Sequence, residues 1–223
     1  MEHIIDSFFN FEVLRQVYPL LLKGLRYTAL LSVITIPIAA VLGLLLAVLH
    51  SFPSKILKAV LITYVDVLRS IPPLVLLVFI YFGLPFLGVR FDAFTAVVLA
   101  LVLNGSSFFG EIFRAGLESV PKGQDEAARS TGLNGTQTMI SVIIPQGTKN
   151  VLPDLITNVL ELAKQTSLAS VVGLQELLRN AQIAQGLTYN PTPLVAAALI
   201  YFLLLWPFVR LISRMQRQPV FVK

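Results

Sequence analysis

Residues 27–49, YTALLSVITIPIAAVLGLLLAVL, form a long, uncharged and mostly apolar run. At about 1.5 Å of rise per residue, a helix of this length crosses the roughly 30 Å hydrocarbon core of a bilayer. Pro37 lies inside the run and predicts a kink, whose freed carbonyl Ser32, Thr35 or a neighbouring helix can satisfy. The run is therefore predicted to be a membrane-spanning helix.

The composition of the whole chain supports the same conclusion. Of its 223 residues, 56% are hydrophobic and only 13% are charged, with a mean hydropathy of +0.79. That is more apolar surface than a soluble domain of this size can bury. Spans must be helices or a closed barrel, and barrel strands would alternate polar and apolar residues, which these runs do not. The sequence predicts an all-α integral membrane protein.

Four further segments are predicted to span, giving about five transmembrane helices in one domain, residues 1–223. Ser70 is interpreted as an N-cap followed by prolines, and Thr192 as a cap with Pro193 at the first helical position. The polar break 88–92 separates the second span from the third. The predicted spans are 27–49, 71–87, 93–113, 151–172 and 194–211.

Five spans place the two termini on opposite sides, and the basic residues indicate which side is which. Lysine and arginine are enriched on the cytoplasmic side of membrane proteins. An outside N-terminus and a cytoplasmic C-terminus satisfy this rule best, although Lys23 and Arg26 count against it. The net charge of +5 is therefore interpreted as a topology signal and not as a nucleic-acid footprint. The basic residues placed inside are Lys55, Lys58, Arg69, Arg114, Lys122, Arg129, Lys149, Arg214, Arg217 and Lys223; those outside are Arg15, Lys23, Arg26, Arg90 and Arg179.

Several chemistries are excluded by what the sequence lacks. It has no cysteine, and its two histidines, His3 and His50, are too far apart in sequence to suggest a metal site. It also has no Gly-x-x-x-x-Gly-Lys-Ser/Thr loop, so it cannot hold ATP in the Walker manner. No enzyme activity and no cofactor are predicted for the chain itself.

Residues 121–145, PKGQDEAARSTGLNGTQTMISVIIP, are a charged insert between apolar segments. Pro121, preceded by Ser119 or Val120, is predicted to open a short helix that Gly132 ends in a left-handed conformation. Asp125 and Arg129 complement the helix dipole and form an i, i+4 pair worth about 0.3–0.5 kcal/mol. Ala127 and Ala128 are predicted on its surface, where small side chains let another protein approach the backbone. The alternative is a solvated loop helix with no partner.

The insert resembles the EAA loop of ABC importer permeases. Glu126-Ala127-Ala128, Gly132 and the ending Val142-x-Ile144-Pro145 carry the likeness, and residues 110–114 and 119–124 match the polar amino acid version. The resemblance implies a type I ABC importer permease fold, with a cytoplasmic coupling loop at about 114–145 that docks on an ATP-binding subunit. The docking residues would be Pro121, Gly123, Glu126, Ala127, Ala128 and Gly132.

The same resemblance implies the partners. They are two ATP-binding subunits that hold ATP and Mg, a second copy or a homologous permease, and an extracytoplasmic substrate-binding protein. Membrane lipid surrounds the chain, no nucleic acid is expected, and the location is the bacterial inner membrane.

The predicted cargo pathway centres on the fourth span. Glu161 and Lys164 lie in an apolar segment, where each charge alone costs about 2.5–3.5 kcal/mol, and at i, i+3 they can pair. The helical pattern weakens at Thr166-Ser167, and a broken helix can aim free N–H groups at a carboxylate. KQTSL, residues 164–168, resembles the family's Lys-Asp-Thr-Ser-Leu segment, with Gln165 where aspartate is usual. A purely structural ion pair is the alternative.

Asn104 and Arg69 are weaker pathway candidates. Asn104 lies on the third span, where polar residues more often bond helix to helix. Arg69 precedes the second span and is also interpreted as an interfacial anchor. The predicted function is thus a permease subunit for polar amino acids. The alternatives are the same machine with an opine, methionine or metal chelate as cargo, or a channel or secondary transporter without ATP.

Overall fold

In the computed structural model, the structure describes residues 7–217, which form helices joined by short turns with no strand among them. His3 and Lys223 lie outside this range, and the side chain of Arg217 is also not described. The helices are α1 (Phe11–His50), α2 (Lys55–Ser70), α3 (Pro73–Val78), α4 (Ala93–Glu118), α5 (Lys122–Ser130), α6 (Gly135–Thr138), α7 (Ile144–Asn150), α8 (Leu152–Gln165), α9 (Leu177–Thr188) and α10 (Thr192–Arg217). Shorter turns are π-helical at Phe79–Gly83 and Met139–Ile143, and 3-10 helical at Leu84–Leu87 and Thr166–Val172.

Helix α1 is longer than the predicted first span. It begins at Phe11, well before Tyr27, and continues through Pro37 to His50. The added turns are amphipathic, and their apolar side chains pack: Val17 and Leu21 are buried against residues of α9 and α10. Tertiary packing therefore orders a stretch that hydropathy alone left out.

The interpretation of Ser70 as an N-cap was wrong. Ser70 is the last residue of α2, where its hydroxyl donates to the carbonyl of Asp66 at 2.6 Å, and it caps no helix. Ile71 is extended, as expected before a proline, and α3 starts at Pro73 with Pro72 as its N-cap. The segments Lys55–Ser70 and Pro73–Leu87 meet at a bend of 97°.

Helix α4 starts where the third span was predicted. Asp92 caps it, accepting from the amide of Thr95 at 3.1 Å and from the Thr95 hydroxyl at 2.6 Å. Gly88, with a φ of +83°, ends the preceding 3-10 turn in the left-handed region that favours glycine. The helix then continues past Phe113 to Glu118.

The fourth predicted span is broken. Helix α8 ends at Gln165 and a 3-10 segment, Thr166–Val172, follows it and stops at Gly173. The predicted weakening at Thr166-Ser167 is confirmed. By length and composition, α1, α4 and α10 are apolar enough to cross a membrane, and the bent pair that includes α2 makes a fourth among the described residues.

Helix α10 contains the fifth predicted span, but the prediction that Thr192 caps it was wrong. Thr192 is the first residue of the helix, and its hydroxyl accepts a hydrogen bond from the amide of Asn10 at 3.0 Å. The Thr192 amide donates to the side-chain oxygen of Asn190 at 2.8 Å. Thr192 therefore ties the start of α10 to the start of α1.

The chain groups into two compact units. Of the described residues, the first contains 7–36, 72–102 and 160–217, and the second contains 37–71 and 103–159. The first unit has a core in which α1, α9 and α10 pack through Val17, Leu21, Leu177, Ala181, Ala184 and Ala197. The second unit holds α2, the end of α4 and the whole charged insert.

Candidate functional site

The charged insert folds into the predicted helix. Helix α5 runs from Lys122 to Ser130, with Pro121 itself as the N-cap in place of Ser119 or Val120. Gly132 has a φ of +93°, as predicted for the residue that ends the helix. Its amide bonds to the carbonyl of Arg129 at 3.0 Å, and the Leu133 amide bonds to the carbonyl of Ala128 at 3.3 Å. These two bonds form a Schellman motif.

The two faces of α5 differ in chemistry. Gly123, Glu126, Ala127 and Ser130 are exposed and lie at helical spacing on one side, which we call the docking face. A methyl group added at Gly123 would meet nothing within 4 Å. Ala128 is only 8% exposed, so the prediction that it lies on the surface was wrong. It is instead buried on the opposite side of the helix from the docking face.

Charged side chains lie next to the docking face. Arg129 Nε donates to Asp125 Oδ2 at 2.9 Å, which confirms the predicted i, i+4 pair. Beside α5 lies a groove of about 480 Å³ with Lys58, Lys122 and Asp125 among its lining residues. The docking face is thus a strip of small side chains around the exposed carboxylate of Glu126, with ionic groups next to it.

One hydrogen bond joins the segments before and after α5, and a second joins α5 itself to α7. Ser119 accepts a hydrogen bond from Asn150 Nδ2 at 2.8 Å, and Gln146 Nε2 donates to Gln124 Oε1 at 3.3 Å. The turn after α5 is closed by a capping box between Asn134 and Gln137. The insert is therefore a compact element with its own internal bonds.

The predicted cargo residues of the fourth segment are brought together. Lys164 Nζ donates to Glu161 Oε1, so the predicted i, i+3 ion pair is confirmed, and both side chains are half exposed. Gln165 follows Lys164 at the end of α8, and its Oε1 is buried with no hydrogen-bond partner among the described residues.

Thr166 and Ser167 begin the 3-10 segment and satisfy the end of α8. The Thr166 hydroxyl donates to the carbonyl of Ala163 at 2.7 Å and that of Ser167 to the carbonyl of Lys164 at 2.8 Å. Thr166 is completely buried. Both hydroxyls donate to the backbone, whereas Glu161, Lys164 and Gln165 carry the charged and amide groups of this segment.

Asn104 and Arg69 lie in the second unit. Asn104 Nδ2 donates to the carbonyl of Leu68 at 3.0 Å and joins α4 to α2, as the helix-bonding alternative expects, although its Oδ1 is buried without a partner. Arg69 lies 4.0 Å from Glu111 and stacks over Phe108. It also lines a cavity of about 280 Å³ that includes Glu111 and Arg114.

A buried polar cluster around Glu176 was not predicted from the sequence. Glu176 is completely buried and caps α9, with its carboxylate accepting from the amides of Leu178 at 2.8 Å and Arg179 at 2.7 Å. The hydroxyl of Thr28 accepts from the Leu177 amide at 3.1 Å. A lone glutamate within GLQELL was the available signal. The cluster also depends on Thr28, which is distant in sequence and meets the Leu177 amide.

No group of three or more metal-ligating side chains occurs in the part of the chain that the structure describes. The cluster around Glu111 is made of ion pairs: Arg114 donates to Glu111 at 2.6 Å and to Glu118 at 2.9 Å. These contacts stabilise the end of α4 and offer no metal geometry.

Comparison with known proteins identifies the family. The family described as "Binding-protein-dependent transport system inner membrane component" matches residues 39–218. The chain belongs to this family. It is a multi-pass membrane component of a transport system, and the predicted EAA loop lies inside the matched region.

Relatives of this permease cover most of its length. It is 36% identical to the probable amino-acid ABC transporter permease protein YckA of Bacillus subtilis (strain 168) over 198 residues, 88% of each chain. It is 35% identical to the arginine transport system permease protein ArtQ of the same strain, covering 83% of this chain and 86% of ArtQ.

A solved structure resembles the permease closely. It is described as a crystal structure of an amino acid ABC transporter with histidines, and it has a TM-score of 0.82 and 38% identity. The match covers 93% of this chain and 98% of the other. The predicted all-α fold of a type I ABC importer permease is confirmed.

Proposed function

We propose that this permease is the membrane-spanning subunit of an ATP-driven importer of polar amino acids. The docking face of α5 carries the proposal, since it is an exposed strip of small residues around the carboxylate of Glu126. A surface helix without a partner needs neither this strip nor the hydrogen bonds around it. ATP-binding subunits dock there. They hold the ATP and Mg, because the chain has no nucleotide loop of its own.

The assembly follows from the same proposal. Two ATP-binding subunits bind two permeases, either two copies of this chain or this chain with a homologue. The coupling loop 114–145 faces the cytoplasm and the N-terminus lies outside, where a substrate-binding protein delivers the cargo. The lysines and arginines around α5 support this orientation, as cytoplasmic loops are enriched in them.

The fourth segment supports a zwitterionic cargo. Glu161 and Lys164 neutralise each other when no solute is present. An amino acid carries one ammonium and one carboxylate. Its ammonium can pair with Glu161 and its carboxylate with Lys164, so neither side chain is left without a counter-charge. The unsatisfied Oε1 of Gln165 adds an acceptor for the ammonium. The relatives YckA and ArtQ, which are named for amino acids, support the same class.

The first experiment tests the docking face. The permease is extracted under native conditions and the ATP-hydrolysing protein that co-purifies is quantified for the wild type, Ala127→Trp and Leu187→Trp. Leu187 is an exposed residue of α9, so its variant is a control for added bulk. We expect Ala127→Trp to reduce the bound ATPase about 30-fold, as for loss of an interface hot spot. A wild type that retains no ATPase would favour a channel or secondary transporter.

The second experiment tests the cargo. Uptake is measured in vesicles that contain the permease with its ATPase and binding protein, for glutamine, arginine, histidine and glutamate. Methionine, an opine and a metal chelate are the comparison set. ATP-dependent uptake of the first group alone is the expected result, and uptake of a comparison solute alone would contradict the amino acid assignment.

A further inference from the structure

The helices on either side of α5 meet at two glycines. A Cβ at Gly116, near the end of α4, would lie 2.6 Å from the carbonyl oxygen of Gly147 in α7. A Cβ at Gly147 would lie 2.8 Å from the carbonyl oxygen of Gly116. Cβ atoms are not found at such distances from backbone, so only glycine at both positions allows this approach. The contact is backbone against backbone in both directions.

Two hydrogen bonds reinforce this contact. The Ser119 hydroxyl donates to the carbonyl of Gly116 at 2.6 Å and accepts from Asn150 Nδ2 at 2.8 Å. The glycine contact and the Asn150–Ser119 bond connect the segment that enters the insert to the segment that leaves it, and the Ser119–Gly116 bond holds the Ser119 hydroxyl within the entering segment. We call the four residues Gly116, Ser119, Gly147 and Asn150 the flank joint.

We propose that the flank joint positions the docking helix for energy coupling by holding α4 and α7 together as one body throughout the transport cycle. This inference rests on the proposed function, in which ATPase subunits move α5. A force on α5 then reaches α4 and α7 at the same time, because the chain both enters and leaves the insert through the joint. The rival arrangement is a pivot, in which the two flanks separate when the ATPase closes.

The glycine contact is tested by Gly147→Ala in the complete complex of permeases, ATPase subunits and binding protein. The matched control is Gly110→Ala on α4, where the new methyl would lie 3.4 Å from the side chain of Leu46, an ordinary contact. The readout is the uptake of arginine and glutamine per ATP hydrolysed. Because overpacking displaces backbone, we expect Gly147→Ala to lower this ratio about fivefold or more while the ATPase stays bound. An unchanged ratio would overturn the proposal.

Cross-linking tests the joint without overpacking it. The chain has no cysteine, so Ser119→Cys with Asn150→Cys introduces the only two thiols of the permease. A short bifunctional thiol reagent should link them in the assembled complex, and the linked transporter should keep the uptake rate of the same unlinked double variant. Uptake that falls on linking and recovers when the link is reduced would show that the flanks separate. Failure to link would also overturn the proposal.

The two proposals fail differently. If the wild-type complex neither hydrolyses ATP nor imports either amino acid, then the proposed function is wrong. If the wild type does both and the linked variant is inhibited, the proposed function stands and only the rigid flank joint is wrong.

Discussion

The hydroxyl of Tyr201 on α10 donates a hydrogen bond to Oε2 of Glu176, the N-cap of α9, at 3.3 Å. Glu176 is completely buried, and its other partners are the two amides at the start of α9. This bond connects α10 with the cap of α9.

Tyr201→Phe should destabilise the first unit. The substitution removes one hydroxyl and leaves the ring, at a cost of about 0.5–1.5 kcal/mol for each hydrogen bond lost. Thermal unfolding of the purified permease in lipid nanodiscs measures the loss. Tyr189→Phe is the control, because the Tyr189 side chain is 94% exposed and should change nothing. Equal stability of the two variants would show that the Tyr201 hydroxyl contributes no free energy of folding.

Gly132→Ala should loosen the end of the docking helix. A φ of +93° costs a residue with a Cβ about 1–2 kcal/mol, which corresponds to about 5- to 30-fold in the opening equilibrium. Hydrogen exchange of the Gly132 and Leu133 amides should accelerate by that factor, since these amides form the Schellman bonds. Gly123→Ala is the matched change inside the helix and should slow exchange there, because alanine is the better helix former. Identical exchange in both variants would contradict the assigned role of Gly132.

Glu161→Gln should show whether Glu161 binds the cargo or forms only a structural ion pair with Lys164. Both charges are half exposed, so the loss of one interaction is worth about 0.2–1 kcal/mol. If Glu161 pairs with the α-ammonium of the cargo, uptake of arginine and of glutamine should both fall about two- to fivefold, because both amino acids carry that group. Lys164→Gln should do the same, because both have the α-carboxylate. A Glu161→Gln variant that takes up both amino acids at the wild-type rate would support the structural ion pair.

Asp92 should make the stability of the folded permease depend on pH only at acidic pH. The hydroxyl of Thr95, and then its amide, hold the pKa of the Asp92 carboxyl below its usual value of 3.8. A folded-state pKa that is depressed adds stability above about pH 3.8 and loses it as the pH falls through the folded value. The melting temperature of the wild type should therefore decline below pH 4 more steeply than that of Asp92→Asn. Parallel declines would exclude Asp92 from the acid transition.

Much of the architecture could be predicted because hydropathy and helix-ending residues act locally. The start of α4 at Ala93, the break after Gln165 and the left-handed Gly132 each depend on a few neighbouring residues. The first turns of α1 could not be predicted in this way. Val17 and Leu21 are ordered by packing on α9 and α10, which follow more than a hundred residues later in the sequence.

Side-chain pairs of the site could be predicted where both residues lie on one helix. Contacts between segments that are distant in sequence could not. The pairs Asp125–Arg129 and Glu161–Lys164 follow from spacing alone. The burial of Ala128 does not, because a small apolar residue fits either face of an amphipathic helix. The Gly116–Gly147 contact could not be predicted, because the sequence does not show which backbone segment packs against a given glycine.

The bond between Asn10 and Thr192 restricts how the chain is threaded through the bilayer. It holds the beginnings of α1 and α10 together, and the two helices continue side by side, with Val17 and Leu21 packed in the same core as Ala197. Two helices that start together and run alongside each other enter the membrane from the same face. Between them the chain must return to that face, so the crossings from the first helix to the last are odd in number. Four crossings are an even number and do not meet this condition. If the broken segment α8 with its 3-10 extension is counted as a crossing, the number becomes five, which does.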